Sequence, residues 1–120
     1  MKQFFAVGLG GFFGAMTRYG FSKIIPHENG FPLSTVCINS IGCFCLAWLF
    51  TKYTKRTPVI LAIGTGFLGA FTTFSTFSVD ALLLVEQDKW FLAGSYIVSN
   101  IGGGLLFAIL GVFFARRQVQ

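Results

Sequence analysis

Residues 69–78 read Gly-Ala-Phe-Thr-Thr-Phe-Ser-Thr-Phe-Ser, and this segment governs how the whole chain is interpreted. It lies in an uncharged run from Thr57 to Val79 that is long enough to cross a bilayer, yet it carries five hydroxyl side chains within seven residues. Hydroxyls next to glycines are typical of a helix interrupted at membrane depth, because the freed backbone carbonyls need new partners there. Composition leaves two interpretations open. The segment either lines a path for a small solute or forms a packing seam whose phenylalanines face lipid.

The overall composition predicts an integral membrane protein. Of 120 residues, 54% are hydrophobic and 11% are charged, and the mean hydropathy is +0.73. A soluble domain of this size could not bury so much apolar surface. The net charge of +5 comes from basic residues near the ends of apolar runs, where such residues anchor helices at the membrane interface. It does not come from a Lys/Arg stripe, and we expect no nucleic-acid partner.

Four apolar segments organise residues 1–120 as a single domain. We predict membrane spans at about residues 3–21, 31–51, 58–85 and 90–115, with short loops between them. The first span includes Gly10 and Gly14 at small-xxx-small spacing, which allows helices to approach closely. The third is interrupted at its hydroxyl-rich segment. Because four spans make a thin bundle for enclosing a path, we expect a dimer.

Polar side chains in the other apolar segments are few. Asn39 lies near the middle of the second predicted span, where a carboxamide is costly unless it bonds to another helix or to a ligand. Two roles stay open for Asn39. It either holds helices together through hydrogen bonds or donates a hydrogen bond to a permeating anion. Asp80 follows the hydroxyl-rich segment, and we expect it near a membrane interface.

The residue sets that common enzymes require are missing from the sequence. It has no carboxylate pair at catalytic spacing, no Ser/His/Asp set, no phosphate-binding loop that leads into Lys-Ser/Thr, and no His/Cys metal cluster. Neutral hydroxyls and carboxamides inside a membrane coordinate or move a solute and do not perform acid–base chemistry. We therefore predict that the chain is not an enzyme.

Three motifs resemble those of the CrcB/Fluc fluoride channel family. They are Gly-Gly-Phe-Phe-Gly-Ala-Met-Thr-Arg-Tyr at residues 10–19, Thr-Val-Cys-Ile-Asn-Ser-Ile-Gly-Cys-Phe at residues 35–44, and Gly-Phe-Leu-Gly-Ala-Phe-Thr-Thr-Phe-Ser-Thr-Phe at residues 66–77. The third motif is specific, and the resemblance covers the whole chain. It implies an all-α membrane protein of four transmembrane helices, the third broken at mid-membrane. It also implies an antiparallel, dual-topology dimer with two pores, which exports fluoride passively across the bacterial inner membrane.

The same resemblance implies roles for individual residues. The rings of Phe74 and Phe77 would line the pore with their positive edges towards the anion, and Asn39 would donate a hydrogen bond to it. The other pathway positions are a polar track, a pore-facing phenol and an arginine that concentrates anions at the vestibule: Ser75, Thr76, Tyr96 and Arg18. The backbone carbonyls of Gly69 and Thr72 from both subunits would hold a structural sodium ion at the dimer centre.

Three questions stay open from the sequence. The excess of basic residues on the side of the predicted termini is larger than a dual-topology homodimer prefers, so a heterodimer with a paralogous chain is an alternative to self-pairing. A small four-helix multidrug–proton antiporter is a second functional reading, but it needs a titratable carboxylate deep in the membrane. A membrane assembly factor that transports nothing is a third.

Overall fold

The computed structural model describes residues 1–27 and 29–120, and the elements it contains are helices. In chain order they are α1 (Lys2–Ile24), α2 (Leu33–Lys52), α3 (Pro58–Leu61), a π-helical segment π1 (Ala62–Leu68), α4 (Gly69–Phe71), α5 (Ser75–Glu86) and α6 (Trp90–Val119). Within the described residues, three stretches are long and apolar enough to cross a membrane: Leu33–Lys52, Pro58–Glu86 and Trp90–Val119. The predicted helical membrane class is thus confirmed in its broad form. Helix α1 is not one of the three, because its glycines and Arg18 lower its mean hydropathy.

The helices pack as two groups that the third segment connects. Helix α2 packs along α6, and α5 also lies against α6. Helix α1 packs instead against π1 and α4, the first half of the third segment. The two halves of the third segment therefore belong to different packing groups, and the chain between them is the place where the groups meet.

The predicted interruption of the third segment is present, at Thr72–Phe74. Thr72 leaves the helical conformation with φ −75° and ψ 154°, and α5 begins three residues later at Ser75. The Thr73 hydroxyl accepts a hydrogen bond from the backbone N–H of Thr76 at 3.1 Å, as a capping side chain does at a helix start. The break contains neither glycine nor proline, so threonine side chains and long-range contacts must hold it open.

Close backbone contact between α1 and π1 depends on two glycines. A Cβ atom added at Gly10 would collide with the carbonyl oxygen of Ala62, and one added at Gly14 would collide with the carbonyl oxygen of Phe67. The small-xxx-small spacing predicted close approach at these two residues, and the structure confirms it. Gly8 lies on the same helix, but a Cβ atom there would meet nothing within 4 Å.

We expect Gly14→Ala to lower the free energy of unfolding by about 1–3 kcal/mol, because the added methyl group forces two packed backbones apart. Gly8→Ala is the matched control. It should leave stability unchanged or raise it by up to about 1 kcal/mol through better helix propensity. Thermal unfolding of the purified protein in detergent measures both. Equal melting temperatures for the two variants would contradict the packing described here.

Candidate functional site

A buried carboxamide holds the helix break. The Oδ1 atom of Asn39 accepts a hydrogen bond from the backbone N–H of Thr73 at 2.8 Å, and its Nδ2 donates to the carbonyl oxygen of Thr73 at 2.9 Å. The same Nδ2 donates to Oδ1 of Asn100 on α6 at 3.1 Å. Asn39 and Asn100 are both buried, so these bonds join α2, the break and α6 in a low-dielectric environment.

This pairing redirects the N–H groups that would otherwise close the helix. In a continuous α-helix the N–H of Thr73 would donate to the carbonyl of Gly69, and the N–H of Thr76 would donate to the carbonyl of Thr72. Here the first donates to Asn39 and the second donates to the Thr73 hydroxyl. The carbonyls of Gly69 and Thr72 are therefore released from helical pairing, and Gly69 is exposed on the surface of the single chain.

Three aromatic rings run from the surface to the core beside the break. The ring centroids of Phe74 and Phe77 lie 5.6 Å apart, and those of Phe77 and Tyr96 lie 5.4 Å apart. Phe74 is 79% exposed, whereas Tyr96 is fully buried. The outermost ring thus ends the row at an open face of the molecule.

A carboxylate gathers two hydroxyl donors at the inner end of this row. The Tyr96 hydroxyl and Thr35 Oγ1 each donate to Oδ2 of Asp80 at 3.1 Å. Thr35 belongs to the first turn of α2, so Asp80 lies towards one end of the bundle. The carboxylate is therefore a partly buried, hydrogen-bonded group that lies level with the first turn of α2.

Two cavities share Thr73 as a lining residue. The first, of about 290 Å³, is lined by polar and apolar atoms in equal measure, and its lining includes Arg18, Thr35, Thr73, Thr76 and Asp80. The second, of about 260 Å³, is mostly apolar, and its lining includes Asn39, Cys43, Thr73, Phe74, Phe77 and Asn100. A charged and hydroxyl-lined recess thus adjoins an aromatic recess whose polar groups are neutral.

The structure brings most of the predicted site residues together. Arg18 and Thr76 line the first cavity, and Asn39, Phe74 and Phe77 line the second. Ser75 contacts the site through Thr73, with 3.2 Å between the two hydroxyl oxygens, and Tyr96 packs behind Phe77. The backbone sites Gly69 and Thr72 lie at the break itself.

Sequence reasoning assigned no role to Thr73 or Asn100, which are central to this site. Thr73 belongs to the hydroxyl-rich segment, but nothing in the local pattern distinguishes it from its neighbours. The sequence did contain an indication for Asn100, because a carboxamide in the middle of an apolar segment is costly without a hydrogen-bond partner.

These features define the class of protein. Of the three apolar segments of membrane-spanning length, one is broken, and neutral hydrogen-bond donors and aromatic rings line two cavities beside the break. No group of three or more His, Cys, Asp or Glu side chains that could hold a metal occurs among residues 1–27 and 29–120. The arrangement is suited to coordinating or conducting a small solute.

Comparison with known proteins identifies the family. Residues 5–112 match the family described as "CrcB-like protein, Camphor Resistance (CrcB)", and the chain belongs to this family. A relative from Latilactobacillus sakei, named "Fluoride-specific ion channel FluC 1", is 43% identical over 121 residues, which cover 98% of this chain and 90% of the relative. "Fluoride-specific ion channel FluC" from Oceanobacillus iheyensis is 43% identical over 120 residues, with 96% and 92% covered. "Fluoride-specific ion channel FluC 1" from Bacillus thuringiensis is 47% identical over 112 residues, with 88% and 81% covered.

We expect Asn39→Leu to destabilise the break, because it leaves the buried N–H and C=O groups of Thr73 without their partner. The cost should be about 2–6 kcal/mol, since each of the two unsatisfied buried groups costs roughly 1–3 kcal/mol. The measurement is hydrogen exchange at the Thr73 amide, which should accelerate in the variant. Thr17→Val is the control, because the Thr17 hydroxyl bonds only to Phe13 O within its own helix. An unchanged Thr73 exchange rate in Asn39→Leu would show that the carboxamide does not hold the break.

Proposed function

We propose that this protein is a fluoride-selective channel that lowers cytoplasmic fluoride by passive export. One observation carries the proposal. Neutral hydrogen-bond donors and the Phe74 and Phe77 rings converge on adjoining cavities at an interrupted membrane helix. The curated relatives of matching length, each named as a fluoride-specific ion channel, support it. Those names also support the prediction that the chain is not an enzyme.

The chemistry of the lining suits a small, strongly hydrated anion. Such an ion enters a pore only if other groups replace its water, and it leaves only if each replacement site is weak. Hydroxyl and amide donors meet both needs, because they orient positive hydrogen atoms towards the ion without adding a charge that would trap it. The ring edges of Phe74 and Phe77 add a weak positive field, since an aromatic quadrupole is positive at its rim.

The charged side chains Arg18 and Asp80 line the first cavity. Arg18 lines the first cavity, where a positive side chain raises the local anion concentration before the ion reaches the neutral lining. Asp80 lines the same cavity, and its Oδ2 accepts the hydroxyls of Thr35 and Tyr96. Ser75 and Thr76, next to the Thr73 hydroxyl, continue the polar lining from this recess towards the rings.

We further propose that the working unit is an antiparallel dimer in the bacterial inner membrane, with all four helical segments, α1 included, as spans. The dimer is supported by a side chain and a cavity that a single chain leaves exposed. Phe74 is 79% exposed although it belongs to the aromatic row, and the second cavity opens to the outside of the chain. A second copy would close that cavity and form two equivalent paths. A heterodimer with a paralogous chain would close it in the same way, and cross-linking of the single expressed chain distinguishes the two.

A structural sodium ion fits the released carbonyls. The oxygens of Gly69 and Thr72 have lost their helical donors, and two such pairs from two chains would supply four neutral oxygen ligands. Oxygen ligands of this kind suit a hard cation. When bound, the ion would balance the aligned carbonyl dipoles where the two broken helices meet. The chain's own contribution is to direct Thr73 N–H to Asn39, which leaves the Gly69 carbonyl with only a long 3.4 Å hydrogen bond from the Thr72 hydroxyl in place of its helical donor.

The two rival functions receive less support. A multidrug–proton antiporter needs a titratable carboxylate deep in the membrane, whereas Asp80 lies level with the first turn of α2 and is bonded to two hydroxyls. An assembly factor that transports nothing has no need for a path, whereas two cavities here share Thr73 in their linings.

The first test of function is fluoride efflux from proteoliposomes, followed with a fluoride electrode after a potassium ionophore supplies the counter-current. The wild-type protein should release fluoride and retain chloride. Phe77→Ile should slow fluoride release at least about tenfold, equivalent to roughly 1.4 kcal/mol on the barrier, because it removes the central ring of the row.

Phe91→Ile is the matched control for that variant. Phe91 is also a phenylalanine near the start of an apolar helix, but it is 87% exposed and does not line either cavity. Its efflux should equal that of the wild type. Absence of fluoride efflux from folded wild-type protein would refute the channel function, and equal loss in both variants would remove the special role of Phe77.

The sodium proposal has a separate test in thermal unfolding. Sodium should raise stability in a saturable way, by about 2.7 kcal/mol at one hundred times its dissociation constant. Potassium and N-methyl-D-glucamine at equal ionic strength are the controls and should give no such increase. Identical melting curves in the three cations would exclude a stabilising sodium site at the break.

A further inference from the structure

The second half of α6 carries an apolar groove that ends at an arginine. The groove has a volume of about 420 Å³ and shares no described lining residue with the two cavities at the break. Its lining residues all belong to α6: Leu105, Ala108, Ile109, Val112, Phe113 and Arg116. Leu105 and Ile109 are 63% and 65% exposed, so a single chain leaves this groove open.

The length of the groove matches the depth of one membrane leaflet. Leu105 and Arg116 lie on the same helix, and the rise between them is roughly 16 Å at about 1.5 Å per residue. The hydrocarbon core of a bilayer is about 30 Å thick, so one leaflet contributes roughly 15 Å. Arg116 belongs to the last turn of α6, at the level where lipid headgroups begin. The groove therefore fits an extended acyl chain whose polar end lies at Arg116.

Two arginines lie at the polar end of the groove. Arg116 lines both the groove and a neighbouring recess of about 270 Å³, which Thr51 also lines. The guanidinium carbon of Arg117 lies 4.4 Å from the centroid of the Phe113 ring, which holds this second arginine beside the groove wall. A guanidinium presents its N–H donors in a fork that matches two phosphate oxygens, and a threonine hydroxyl is a further donor. The recess is therefore suited to a phosphate group.

The charge distribution favours a negative partner at this end of the bundle. The basic residues at the end where α1 begins and α2 and α6 end are Lys2, Lys52, Lys55, Arg56, Arg116 and Arg117. The acidic side chains that the structure describes are Asp80, Glu86 and Asp88, and they belong to the opposite end, where α2 begins and α5 leads into α6. Within the described residues, the two arginines at the groove therefore have no acidic side chain at their own end. Basic residues at a membrane surface attract anionic lipids, whose headgroups carry no cation of their own to oppose them.

We propose that the α6 groove and the Arg116 recess form a binding site for one anionic phospholipid. An acyl chain lies in the groove, and the phosphate lies at Arg116 and Arg117. The occupant is a membrane lipid and not a free phosphate ion, because only a lipid also covers the exposed apolar surface of the groove. In the antiparallel dimer proposed above, the site would occur once in each leaflet, and the lipid would neutralise part of the basic excess that disfavours one of the two orientations.

Native mass spectrometry of the protein in a neutral detergent measures lipid binding directly. Phosphatidylglycerol should bind at one site per chain, with an affinity at least about tenfold higher than that of phosphatidylcholine with the same acyl chains, because only its headgroup carries a net negative charge. Glycerol phosphate has the headgroup chemistry without the acyl chains, and it should not displace the lipid at equal concentration. Equal affinities for the two lipids, or displacement by glycerol phosphate, would overturn the proposal.

Arg116→Gln tests the polar end of the site. It should lower the affinity for phosphatidylglycerol roughly fivefold, the effect of one basic residue beside an anionic lipid. Arg56→Gln is the matched control, because Arg56 lies at the same end of the bundle but packs on the Phe50 ring and lines neither the groove nor the recess. The affinity of this control should stay close to that of the wild type. Equal losses in the two variants would indicate diffuse attraction by the basic end and would refute a defined site.

Ala108→Phe tests the apolar part of the site, because the larger side chain fills the groove. It should weaken phosphatidylglycerol binding several-fold, whereas Leu106→Phe, at an exposed position of α6 outside the groove, should not. Melting temperatures in lipid-free detergent confirm that both variants are folded. Cross-linking of the same variants tests a second copy of the chain as the occupant. If Ala108→Phe and Arg116→Gln reduce the cross-linked dimer and leave the lipid affinity unchanged, the groove is a contact between subunits and the lipid site is wrong.

Discussion

The pairing of the Asn39 carboxamide with the peptide group of Thr73 is the interaction on which the site depends. It supplies both a donor and an acceptor to one residue of the backbone, so it replaces the hydrogen bonds that a helix would otherwise form there. Without it, the buried N–H and C=O groups of Thr73 would have no partner at the break. The position of the break is therefore set from another helix, through a side chain.

The remaining fold holds the two halves of the interrupted segment in place. Glycines of α1 allow π1 to pack with backbone in contact with backbone, which anchors the first half. The second half, α5, packs on α6, where Tyr96 bonds to Asp80 and stacks beside Phe77. Because each half has its own partner, the short segment at Thr72–Phe74 can stay non-helical without loosening the bundle. Both cavities include Thr73 of that segment in their linings.

Much of this architecture could be predicted from local pattern, and the part that could not depends on long-range pairing. Apolar runs and the hydroxyl-rich segment predicted helices and an interruption, and glycine spacing predicted the close contact of α1. The partners of Asn39 lie 34 and 61 residues away in the sequence. No local periodicity encodes them, and only the folded break exposes the peptide group that Asn39 binds. Asn100 was visible as a costly carboxamide, but its pairing with Asn39 exists only in the folded chain.

The same pairing links the broken helix to the properties of the path. Two of its hydrogen bonds form a directed series, from Thr73 N–H to Asn39 oxygen and from Asn39 N–H to Asn100 oxygen, while a third returns from Asn39 to the carbonyl of Thr73. Aligned hydrogen bonds in a low-dielectric interior polarise one another, so the last N–H group of such a series is a stronger donor than an isolated amide. If that group meets an anion, the site attracts it without a formal positive charge. A full charge at that depth would bind a small anion tightly and hold it, whereas a polarised neutral amide can bind it and release it.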